Sequence, residues 1–259
     1  MELCDTLEPA LQSHTQRSNP VPPHVQVLSN LGFLATGTVQ QELADRVGIS
    51  QPSIQQQLPV KRGFYSIAGL HNLIGAIDYT HVRIKAPSPD PFPYLNRMQY
   101  HSINVQVICD SVNHLLNVVS RFPGGAHYSY FMQNSSVGMR LEQGAAGDAW
   151  LIGRMPFTWL MTPLTKPQTH QEASYNQRHA RTRSTIERTI CILRDTGCVW
   201  TQQVVCRIIM ACCVLHNIAM KRGVPLPLQP PHQDVRPDPL LGPDNRHGVE
   251  VRQQIISRF

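Results

Sequence analysis

Gly75-Ala76-Ile77-Asp78-Tyr79-Thr80-His81-Val82 is the stretch on which the fold turns. From Leu73 the hydropathy period becomes two, and Val82-Arg83-Ile84-Lys85 continues it. Alternation of this kind marks a strand with one face buried. Asp78 is the single carboxylate in the run.

Downstream, residues 87–93 form a proline-rich loop. Ser102-Ile103-Asn104-Val105-Gln106-Val107-Ile108 reads as a second strand, and Leu115-Leu116-Asn117-Val118-Val119-Ser120 as a third. Residues 110–114 supply the turn between them, with Asp110 as a turn cap. Pro123-Gly124-Gly125 ends the third strand, and a helix is predicted over 129–141. Trp150-Leu151-Ile152-Gly153 is apolar throughout, which predicts a strand inside the sheet rather than at its edge. Helices are predicted over 182–194 and 204–221. Three antiparallel strands, a helix, a further strand and more helices give an α/β class with ribonuclease-H-like order: a mixed sheet with flanking helices.

Upstream, residues 1–23 are polar, end in prolines and read as a flexible lead-in. Residues 24–60 read as a small helix-turn-helix-like unit. Val27, Leu28, Leu31 and Leu34 make an amphipathic stripe, a second helix fits 39–47, Gly48 breaks it, and Ser50 caps a third. That third helix presents glutamines and no Arg or Lys, so taken alone it fits a packing unit better than a DNA reader. Residues 64–223 form the main domain. Proline recurs from 224 to 259, a stretch expected to be disordered.

The formal net charge is +6 with twelve histidines counted neutral, which favours anionic partners, nucleic acid first. Seven cysteines include no Cys-x-x-Cys pair, so neither a zinc ribbon nor a redox motif is supported, and buried free thiols are expected. The apolar runs read as too short and interrupted to span a bilayer, and no signal peptide is visible. A nuclear location, with cytoplasm as the other compartment, is expected, and no membrane partner.

Several separated fragments carry a family resemblance: residues 75–87, Trp159-Leu160-Met161-Thr162-Pro163-Leu164, Tyr175-Asn176 through Arg188, and Ala211-Cys212-Cys213-Val214-Leu215-His216-Asn217. On these the chain resembles the Harbinger transposase-derived nucleases, a DDE-type group with a ribonuclease-H-like core and a preceding helical domain. The resemblance runs from about residue 15 to about residue 223.

It implies a nuclease that hydrolyses DNA phosphodiester bonds with a divalent cation, Mg2+ or Mn2+. Such an ion activates water and stabilises the leaving oxygen. Asp78 matches the first catalytic, metal-binding carboxylate and Glu187 the last. The family places another acid where Tyr128 stands here, and a fourth where Arg154 follows Ile152-Gly153. Two of four expected ligands are therefore replaced, so activity is expected to be weak or lost. The alternative is a catalytically inactive module, derived from a transposase, that binds nucleic acid or protein. Family members act with a Myb-like DNA-binding partner protein, which the resemblance extends to this chain.

Two unit charges at contact interact by roughly 4 kcal/mol at an effective dielectric near 20. Arg154 is therefore expected to pair with Asp78 or Glu187 in place of an ion. Arg178, Arg181, Arg183 and Arg188 cluster around Glu187 and are candidates for phosphate contact. Tyr128, Tyr130 and Phe131 are candidates for base stacking. His216 is expected to be a satisfied core residue rather than a ligand.

Overall fold

The computed structural model describes residues 57–127, 130–131, 134–144, 147–155, 157, 159–194, 201–224, 252–253 and 255–257. Residues 24–56 of the helix-turn-helix-like unit expected over 24–60, and Tyr128, lie outside them. In chain order the elements are α1 (Gln57–Ala68), β1 (Leu73–Arg83), β2 (Ser102–Cys109), β3 (Leu115–Pro123), α2 (Ser136–Glu142), β4 (Trp150–Ile152), β5 (Leu160–Met161), α3 (His170–Arg194) and α4 (Gln202–Lys221).

The strands form one mixed sheet in the order β3-β2-β1-β4-β5. β1 pairs antiparallel with β2, setting Asp78 opposite Val107, and β2 pairs antiparallel with β3. β4 runs parallel to β1, with Ala76 opposite Ile152, and β5 runs parallel to β4. The expected α/β fold with ribonuclease-H-like order is what forms, and β4 lies inside the sheet as its uniform apolarity requires.

Helices cover both faces. One face carries the larger core, with Phe64 from α1, Ile186 and Ile190 from α3, and Val205, Ile209 and Cys213 from α4 packed on Leu73, Ala76, Val82, Val105 and Val107. The other carries Ile77, Ile108, Leu151, Trp159 and Leu160, with Val137 and Leu141 of α2 against them. Burying each such aliphatic side chain contributes about 1.5–3 kcal/mol. Every residue of β2 is buried because both faces are covered there.

Several boundaries differ from the sequence expectation. No boundary falls between the expected helical unit ending at residue 60 and the main domain starting at 64: α1 runs through both to Ala68 and docks on β1 and α3. Gly69 ends it at φ +73°, its amide donating to Tyr65 O at 2.7 Å. That left-handed position favours glycine. Within the helix expected over 129–141, Tyr130 and Phe131 are helical, and α2 starts at Ser136, where the Ser135 hydroxyl accepts from the Gly138 amide at 3.0 Å.

α3 begins at His170, well before the expected 182. Thr169 and Glu172 build a capping box there: the Glu172 amide donates to Thr169 Oγ1 at 3.2 Å, and the Thr169 amide to Glu172 Oε2 at 3.1 Å. The expectation of disorder across 224–259 fails at its far end. Ile256 is 3 % exposed within the larger core, and Arg252, also buried, donates to Thr162 Oγ1 at 2.6 Å.

α4 is long and apolar enough, by length and composition, to cross a membrane, contrary to the sequence expectation. Here Val205, Ile209 and Cys213 form its buried face, and the helix packs on β3.

Candidate functional site

The direction of Asp78 is set by strand parity. Ala76, Val82 and Ile84 belong to the core beneath α1, α3 and α4, whereas Ile77 belongs to the opposite face. Asp78 shares the even positions and so faces α3. Glu187 lies on α3 one turn beyond Arg183, and residues four apart share a helix face.

The two acids, distant in sequence, meet across Arg183. Its Nη1 donates to Asp78 Oδ2 at 2.8 Å, and its Nη2 donates to Glu187 Oε1. The Arg183 side chain is 7 % exposed, that of Asp78 24 % and that of Glu187 28 %. The guanidinium is therefore the inner member, with a carboxylate on either side of it and nearer solvent.

The expected pairing of Arg154 with these acids is not found. Among the described residues Arg154 forms no ion pair with either one. The reason is register. Ile152, two residues before Arg154, pairs with Ala76, and β4 ends there. Arg183 instead starts from the same helix face as Glu187 and reaches across to β1.

Arg154 lies close enough to influence a different group, His179, one turn before Arg183. His179 is 2 % exposed, and its Nε2 stands 3.1 Å from both the Gly153 and the Met161 carbonyl oxygens. Two carbonyl acceptors require Nε2 to carry a proton and donate. Burial pushes its pKa down to about 4, and the Arg183 and Arg154 charges push the same way against the two carbonyls. Gly153 also packs closely on β1 and β5, where a Cβ would meet Ile77 Cγ2 at 2.9 Å and Leu160 Cδ1 at 3.3 Å.

A two-ion centre does not fit these residues. A hard divalent cation takes about six or more oxygen ligands and keeps waters among them. Among the described residues no three His, Cys, Asp or Glu gather in one place. Asp78 Oδ1 already accepts from the Tyr79 amide at 2.9 Å, and a buried guanidinium holds the space between the acids. Asp110 adds nothing: it caps the β2–β3 turn, accepting from the Val112 and His114 amides at 2.9 and 2.8 Å.

The four arginine candidates separate. Arg178 Nη1 donates to Ala68 O at 2.8 Å, closing the C-terminus of α1, and Arg183 is committed to the acids. Arg181 and Arg188 are exposed, seven residues apart on one side of α3. Of the aromatic candidates, Phe131 is fully buried against Phe122 and Tyr79, whereas Tyr130 is 52 % exposed. Cys109 and Cys213 are free and buried, and burial raises both thiols to about 12, so they act as core residues.

Residues that sequence reasoning left without a role turn out to be structural anchors. Asn217 Oδ1 accepts from the Leu115 amide at 2.8 Å, and its Nδ2 donates to the Leu115 carbonyl at 2.9 Å. Asn176 makes the same two-way contact with Leu164, both at 2.8 Å. His216 is buried with Nε2 2.7 Å from Asn113 O, a satisfied core residue as expected. An asparagine on an otherwise apolar helix was the available signal for the Leu115 contact.

Comparison with known proteins places this geometry in a family. The family described as DDE superfamily endonuclease matches residues 77–217, a span that contains both acids and Arg183. "Putative nuclease HARBI1" of Rattus norvegicus is 34 % identical over 93 % of this chain and 77 % of its own length. The Xenopus laevis protein of the same name is 28 % identical over 98 % of this chain and 85 % of its own. "Protein ALP1-like" of Arabidopsis thaliana is 27 % identical over 61 % of this chain and 46 % of its own. No solved structure matches. The chain therefore belongs to the DDE superfamily endonucleases, the family its sequence fragments resemble.

Proposed function

We propose that this chain acts on DNA as a nuclease-family protein whose divalent-metal-dependent hydrolysis is weak or lost, with Asp78 and Glu187 the remnant of its metal centre. One observation carries the proposal: the two acids converge from β1 and α3, yet the guanidinium of Arg183 lies between them. The convergence is what phosphodiester chemistry needs. The guanidinium, and an arginine at position 154, are what it does not need.

DNA is the favoured substrate because Arg181 and Arg188 stay exposed on α3 beside the acids, on a chain of formal charge +6. Mg2+ or Mn2+ is the cation class that oxygen-only ligands suit. Action on DNA in turn favours a nuclear location, with a Myb-like DNA-binding protein as the candidate partner.

The test is incubation of purified protein with supercoiled plasmid in Mg2+ and in Mn2+, alongside Asp78→Ala. Weak nicking that Asp78→Ala abolishes is the outcome expected of residual activity, and salt-dependent binding without nicking that of lost activity. Nicking at the rate of an efficient metal nuclease, or no DNA binding at low salt, overturns the proposal.

A further inference from the structure

We infer that Arg183 is a resident cation: its guanidinium takes the seat of a divalent ion between Asp78 and Glu187 and keeps the pair assembled without metal. The inference rests on the proposal that these acids are the remnant of an ion site. It goes further by assigning the replacement to a residue and by making metal affinity, rather than cleavage, the quantity at issue.

The geometry supplies the reason. Two like charges brought together repel, and a positive charge between them offsets that repulsion. A dication would do this from water. Arg183 does it from within the fold, giving one nitrogen to each acid across the gap between β1 and α3. A planar fork can satisfy two acceptors in this way where the point charge of lysine satisfies one direction at a time.

Arg183 cannot make room by losing its proton, because a guanidinium stays charged at every pH a protein survives. It cannot easily swing out either, since its side chain is only 7 % exposed. An arriving cation must therefore displace a buried, paired charge rather than join it. Arg154, just after β4, is close enough to act on His179 and adds a second positive charge nearby. Arg183 acts here as a positioning residue, holding two acids at a fixed separation.

Metal-coupled melting of the full chain tests this, together with a Mn2+ titration read by the electron paramagnetic resonance of the free ion, both without DNA. Wild type should show a melting temperature unmoved by millimolar Mn2+, because an ion that does not bind the folded state cannot shift it. Arg183→Gln without metal should melt about 5 °C lower and recover much of that in Mn2+. It should also bind Mn2+ at least about tenfold tighter than wild type, as removal of one neighbouring positive charge implies. Arg183→Lys, which keeps the charge, should gain no affinity. Adding Asp78→Asn to Arg183→Gln should abolish the gain, which a merely structural arginine would not produce.

Micromolar Mn2+ binding by wild type overturns the inference, as does an Arg183→Gln protein that folds and gains nothing. Should Arg183→Gln fail to fold, the wild-type titration decides alone: binding absent below millimolar Mn2+ upholds the inference, and micromolar binding overturns it. None of these outcomes depends on whether the protein binds or cuts DNA.

Discussion

His179 Nε2 is shared between the carbonyl oxygens of Gly153 and Met161, 3.1 Å from each, so one ring on α3 ties together the ends of β4 and β5. Burial, not the two carbonyls, favours the neutral ring there. Burial holds its pKa at about 4, below the ordinary 6.5. A depressed folded-state value means the unfolded chain binds the extra proton first as pH falls. The stabilisation is therefore fully present above pH 6.5 and is lost as pH drops through about 4. Its size is about 3 kcal/mol. Urea denaturation of wild type should show a steep loss of stability from about pH 6.5 to about pH 4.5. His179→Gln should be less stable at neutral pH with a flatter dependence. An unchanged slope in His179→Gln would assign the pH dependence elsewhere.

Arg178 and Arg188 are both arginines on α3, yet they should behave differently. Arg178→Ala removes the donor on Ala68 O and should cost about 1–3 kcal/mol in a denaturant melt, with the salt slope of DNA binding unchanged. Arg181→Ala and Arg188→Ala should leave stability within about 0.5 kcal/mol. Each should lower the slope of log K against log salt by about one. Fluorescence anisotropy with a labelled duplex at a series of salt concentrations measures the slopes.

The segment at residues 252–257 should matter to the fold. Ile256→Ala empties a core position and should cost about 2–5 kcal/mol. Arg252→Ala leaves Thr162 Oγ1 without that donor and should cost about 1–3 kcal/mol. Chemical denaturation of both variants, and of a chain ending at residue 250, reads the effect. A truncated chain as stable as the full one would show the segment to be dispensable.

Asn217→Ala strands both the amide and the carbonyl of Leu115 at the start of β3. The expected loss is about 2–4 kcal/mol, larger than for a typical surface change. Hydrogen exchange should show the Leu115 amide losing protection ahead of the centre of β2. Asn217→Asp, which keeps the acceptor and loses the donor, should fall between the two.

The parts legible in the sequence were those fixed by local pattern. β1 alternates because one face is wet at its far end, and β4 is uniformly apolar because it lies inside the sheet. The convergence of Asp78 and Glu187 followed from resemblance and strand order together. Other features depend on contacts between distant segments. β5 is two residues long, too short for any period. Arg183 sits in a run with Arg181, His179 and Arg178, and nothing in that run tells which member turns inward. That depends on the angle at which α3 crosses β1. The start of α3 was readable, since Thr169-His170-Gln171-Glu172 has capping-box spacing. Arg252 and Ile256 lie beyond a proline-rich stretch whose composition hides their return to the core.

The pairing of β1 with β4 slips by one residue between Leu73 and Gly75, while its pairing with β2 runs unbroken from Ala76 to Arg83. The strand thus has one place that absorbs a length change and a long stretch that does not. An extra codon near position 74 could widen the existing irregularity and leave every later side chain pointing as before. The same codon between 76 and 78 would rotate the acid to the far surface of the sheet, beside Ile77, with its guanidinium stranded behind it. For this gene, where an insertion falls by two residues decides more than which amino acid it adds.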